Sequence, residues 1–113
     1  MTAEREALAA RVRSMIRDDR TVREVPMFGG IAFMLDDRML VSAGRDGSLL
    51  VRVDPRNSEG LLLRSGARPS VMGAGRPMGP GWLTVDPEGL AGDEDLLKWI
   101  GVALEYHSRQ HRP

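Results

Sequence analysis

The chain has 113 residues, 42% of them hydrophobic and 28% charged, with a formal net charge of +0. That is one domain's length, sufficient for a core without disulfide or metal support. The balanced charge excludes a strong global pull toward nucleic acid or an anionic membrane.

Residues 3–17 place Leu8, Val12, Met15 and Ile16 at helical spacing. Thr2 is the expected cap, and Glu4 and Glu6 suit the positive end of the helix dipole. The polar run Arg17-Asp18-Asp19-Arg20 is expected to end the helix. Pro26-Met27-Phe28-Gly29-Gly30 then opens an apolar strand. Two glycines at a strand start imply positive φ, a bulge or close approach of another backbone.

Gly30–Leu35 and Met39–Ala43 form a hairpin around the polar turn Asp36-Asp37-Arg38, and Ser48–Val53 follows after Gly44-Arg45-Asp46-Gly47. Asp54-Pro55 stops that strand. A short helix carries Leu61, Leu62 and Leu63, capped by Asn57 or Ser58 and left at Gly66. Residues 67–81 are too rich in Gly and Pro for a continuous element, with Val71 and Met72 as a short strand at most. A connection this long is often functional. Trp82–Val85 reads as a strand. The last helix, 94–109, is capped by Asp93 and presents Leu96, Leu97, Ile100, Ala103 and Leu104. The expected architecture is α+β: one domain, 1–113, with a curved antiparallel sheet of about four to five strands covered by the N- and C-terminal helices.

Cysteine is absent, which removes disulfides, thiolate chemistry, Fe–S clusters and Cys-based zinc sites. The acidic N-terminus lacks a secretory signal's layout, and no apolar run approaches the roughly 18 residues needed to span a bilayer. The expectation is a cytoplasmic protein, monomer or homodimer, without membrane contact. His107 and His111 share i, i+4 spacing but have no supporting ligands, so no metal or cofactor is expected. Ser42, Ser58, Ser65 and Ser70 read as strand, cap and loop residues rather than nucleophiles, and no GxSxG elbow occurs. Asp36 and Asp37 read as a turn rather than a catalytic pair. No catalytic residues are assigned, and no enzyme activity is expected.

The glycines of 73–79 fit neither a dinucleotide fingerprint nor a Walker loop. What remains is a small-molecule or anion-binding site at the Gly-rich 67–81 loop, where loop amides with Arg68 and Arg76 form a nest. The stretch 45–76 holds six arginines against three carboxylates. Weak DNA binding through Arg52, Arg56, Arg64 and Arg68 is therefore a further candidate, although no basic-aromatic alternation supports base stacking.

The ordered set Met27-Phe28-Gly29-Gly30-Ile31-Ala32-Phe33, Leu49–Asp54, Gly75-Arg76-Pro77-Met78, Gly81-Trp82-Leu83-Val85 and Leu97-Trp99 resembles the N-terminal domain of the TfoX/Sxy family. The resemblance covers roughly residues 8–106 and implies a stand-alone copy of that α+β domain. The family is named for regulators of natural competence that promote transcription. It brings no catalytic residues, and it makes Met27, Phe28, Gly29, Gly30 and Trp82 a structural signature. With the missing active-site constellation and the balanced charge, it points to a non-enzymatic regulatory or protein-interaction domain, acting in transcription, whose partner is another protein.

Overall fold

The computed structural model describes residues 3–16, 22–27, 29–72 and 75–110. The expected cap Thr2, the run Arg17–Arg20, Phe28 and His111 lie outside them. The elements are α1 (Ala3–Met15), β1 (Val22–Met27), β2 (Gly30–Leu35), β3 (Arg38–Ala43), β4 (Leu49–Arg52), α2 (Ser58–Leu61), β5 (Ala67–Pro69), β6 (Val71–Met72), β7 (Arg76–Pro77), β8 (Trp82–Val85) and α3 (Asp93–Gln110).

Six strands form one antiparallel sheet in the order β1-β2-β3-β4-β8-β5. The expected α+β sheet is present with six strands instead of four to five. β1 escapes sequence reading because Val-Arg-Glu-Val-Pro-Met is an exposed edge interrupted by proline and weakly alternating. β5 is the opposite edge, three residues long and closed by Pro69. Proline at each edge blunts pairing with another chain. The Gly/Pro-rich stretch also contains a separate small hairpin, β6–β7.

Sheet pleating divides the residues cleanly. Phe33, Val41, Val51 and Leu83 align across β2, β3, β4 and β8, and each is at most 1% exposed. Ala43, Leu49 and Val85 align in the next row of the same face. Both long helices pack here, α1 through Leu8, Ala9 and Val12, α3 through Leu96, Trp99, Ile100 and Ala103. Each large apolar side chain removed from water contributes about 1.5–3 kcal/mol before entropy is charged against it. Leu97, expected among the apolar positions of the last helix, is instead 53% exposed, because four core positions already fill the helical stripe.

The irregularity in the sheet falls later than the double glycine. Phe33 pairs with Val41 but Met34 pairs with Met39, so Leu40 is the extra residue, and it is buried. The turn at Asp36-Asp37 has φ of 53° and 64°. Two positive-φ residues are what a two-residue hairpin of the primed type requires. Asp37 accepts from Arg23 Nη2 at 2.8 Å, and Asp36 Oδ2 lies 2.9 Å from His107 Nε2 on α3. Asp54 caps a 3₁₀ turn at Pro55–Asn57, accepting from the Arg56 amide, whereas Asn57 makes no side-chain cap. Asp93 is the first residue of α3 rather than the residue before it. No helix among the described residues is long and apolar enough to cross a membrane.

Candidate functional site

The sheet face opposite the helices carries a different row: Val25, Ala32, Ser42, Leu50, Thr84 and Arg68. No helix covers it. The β6–β7 hairpin folds over part of it instead, for a local reason. Ser70, 2% exposed, places its hydroxyl 2.7 Å from that of Thr84, and its carbonyl accepts from the Met78 amide at 3.0 Å. One residue thus ties the hairpin to the sheet and closes the hairpin's own base.

Between hairpin and sheet lies a cavity of about 330 Å³. Met27, Met39 and Leu50 form its apolar walls, Val71 and Met78 its roof, and Gly30, Ser42, Ser48 and Thr84 its floor. No charged side chain lines it. Two charges on the adjoining turn and edge strand are engaged. Asp46 accepts from the Ser48 hydroxyl at 2.6 Å and the Ser48 amide at 3.0 Å, and these bonds hold its carboxyl below the usual carboxylate range. Arg68 Nε donates to both carboxylate oxygens of Asp86, at 3.0 and 3.1 Å.

Gly30 has a specific place here. A Cβ on it would lie 2.5 Å from the Ala43 carbonyl oxygen and 3.1 Å from Ser42 Oγ. Only glycine lets β2 approach β3 this closely, and its bare Cα leaves space beside the Ser42 hydroxyl. Gly29, at φ 80°, accepts from Arg5 Nη1 of α1 at 2.9 Å. The Met-Phe-Gly-Gly stretch is therefore both a scaffold feature and, through Met27 and Gly30, part of a cavity wall. Sequence reading does not place it there, because Met39, Leu50 and Thr84 come from strands whose adjacency only the topology sets.

The sequence-derived arginines divide into groups. Arg76 is exposed on β7, and Arg68 on β5 is held by Asp86. Arg56, Arg64 and Arg109 surround a second hollow of about 470 Å³ with Asp54, Asn57 and Glu105. Arg109 was not among the sequence candidates. Asp54, 5% exposed, takes Arg56 Nη2 at 3.2 Å and Arg109 Nη1 at 3.3 Å. The Arg56 guanidinium and then its amide hold this carboxyl below its ordinary range. Arg64 lies over the Trp99 ring and Arg52 over the Tyr106 ring, each 5.2 Å from the centroid. Trp82, the last signature residue, is half-buried beside Arg52 in the β4–β8 register. Among the described residues, no three His, Asp or Glu side chains gather as a metal site.

Comparison with known proteins agrees with this architecture. A comparison with curated proteins finds no match. Among solved structures, a protein from Pseudomonas syringae determined by structural genomics is similar in fold, with a TM-score of 0.58 at 15% identity, over 87% of this chain and 95% of that one. The family model described as the TfoX N-terminal domain matches residues 15–106. Its span takes in all six strands of the sheet and most of α3, and the chain belongs to the TfoX N-terminal domain family.

Proposed function

We propose that this domain is a non-enzymatic regulatory module of the cytoplasm that acts by contact with another protein, in the control of transcription. The observation that carries this reading is the open face of the sheet. A sheet face left by both helices is normally polar, whereas this one presents Leu50 and several methionines beneath a hairpin whose Val71 is 53% exposed. Unbranched, polarizable methionine side chains suit an adaptable contact surface.

A photo-crosslinking residue at position 71, compared with one at the equally exposed Leu97 on α3, tests it. One discrete protein adduct from position 71 and none from position 97, reproduced with the purified partner, is the expected result. Equal labelling from both positions, or none from position 71 in a folded domain, rejects it.

A second reading, anion or DNA binding, is favoured by the basic end. Arg52 and Arg64 each contact an aromatic ring and, among the described residues, no carboxylate. It requires binding to short duplex DNA that falls steeply with salt and weakens in Arg64→Ala.

A further inference from the structure

We infer that the cavity under the β6–β7 hairpin is a binding site for a small, neutral, mostly apolar molecule carrying one hydroxyl, carbonyl or amide group. The inference rests on the reading that the open sheet face is the functional face, and it goes further by assigning an occupant.

Size comes first. About 330 Å³ lies at the lower end of the roughly 300–1,000 Å³ range of small-molecule pockets. A helix is about 10 Å across with its side chains, and the hairpin already occupies the space such a segment needs. The volume beneath the hairpin therefore suits a small molecule rather than a helical segment.

Charge comes second. None of the lining side chains is ionised, and the nearby Asp46 and Arg68 are already engaged by Ser48 and Asp86. An ionic ligand would lose its hydration without a counter-charge in the wall, which is costly in an apolar site.

The polar handle comes third. The Ser48 hydroxyl donates to Asp46, and the Ser70 and Thr84 hydroxyls share one hydrogen bond, so each of these already has a protein partner. The remaining hydroxyl is that of Ser42, a residue 8% exposed on the floor, which makes no hydrogen bond to a described side chain. Gly30 keeps the space beside this oxygen open, since a Cβ there would stand 3.1 Å from it. A serine hydroxyl both donates and accepts, so it matches an alcohol, ketone or amide equally well. Met27, Met39 and Leu50 around it take the apolar body, and the methionines adapt to its shape.

The experiment uses the full chain with ¹³C-methyl methionine and octanol as the probe. The expected result is saturable movement of the Met27, Met39 and Met78 methyl signals. Met15, which packs against the core on the other side of the sheet, stays still and reports intact folding. Ser42→Ala weakens octanol binding about fivefold, the worth of one neutral hydrogen bond. Octanoate binds at least about tenfold more weakly than octanol, and Met78→Lys, which puts a cation in the roof, reverses that order. Absence of saturable shifts in the folded chain overturns the inference. So does movement of Met15 to the same extent, unchanged affinity in Ser42→Ala, or octanoate binding as well as octanol to the parent protein. Crosslinking from position 71 with no octanol site would leave the protein-contact reading standing while this one fails.

Discussion

Replacing Gly30 by alanine is the sharpest test of the close approach between β2 and β3. The added Cβ would lie 2.5 Å from the Ala43 carbonyl oxygen. An ordinary carbon–oxygen contact is about 3.3 Å, so one backbone must retreat by about 0.8 Å. Ala43 cannot do so freely. It is fully buried and pairs with Ile31 in the β2–β3 ladder and with Leu49 in the β3–β4 ladder. Overpacking of this kind costs about 1–3 kcal/mol. Loss of glycine's freedom in the unfolded chain returns about 0.4–1 kcal/mol. The expected net is about 1–2 kcal/mol of destabilisation, read as a lower urea midpoint at unchanged slope. Gly101→Ala is the matched control, because that glycine lies inside α3 and an added methyl there would meet nothing within 4 Å. It should stabilise by up to about 1 kcal/mol. A Gly30→Ala protein as stable as its parent, with Gly101→Ala behaving as stated, would refute the packing account of the Met-Phe-Gly-Gly stretch.

Trp99→Ala should cost about 3–5 kcal/mol in urea unfolding, since the ring is 3% exposed and supports Arg64 as well as the core. Acid should destabilise the domain. Asp46, Asp54 and Glu24 all have carboxyls held below their usual range, chiefly by hydrogen bonds from Ser48, Arg56 and Arg13 respectively. Their contribution is complete above the unfolded carboxylate value of about 4 and is lost as pH falls through the lower folded values. Unfolding midpoints measured from neutral to acid pH should show this limb, and Asp54→Asn should flatten it. The Arg13–Glu24 pair, 2.6 Å apart on the surface, should show only a small coupling in a double-mutant cycle, and less at high salt.

Much of the fold was legible in the chain because local chemistry and tertiary structure agree. Leu8 and Val12, or Ile100 and Ala103, repeat at helical spacing and are buried at that spacing. The Asp36-Asp37 and Asp46-Gly47 turns stand where polar turn residues interrupt apolar runs. Sequence reading failed where burial is one-sided or brief. β1 carries Arg23, Glu24 and Pro26 and is held mainly by pairing with β2, and β5 owes its place to pairing with β8. Neither has a periodic signal of its own.

The same distinction separates the two hollows from the motifs. Residue types alone marked Met27–Gly30 as unusual, identified Arg52, Arg56, Arg64 and Arg68 as a basic set, and placed the chain near its family. Tertiary structure alone inserted β8 between β4 and β5, set Thr84 beside Leu50 and Ser42, and brought the hairpin over them through Ser70. It also added Arg109 from α3 to the basic end and matched Arg68 with Asp86. Hydrophobic periodicity reports which face of an element is buried. It carries no record of which strands become neighbours, because non-local pairing is decided by the packing of the whole sheet.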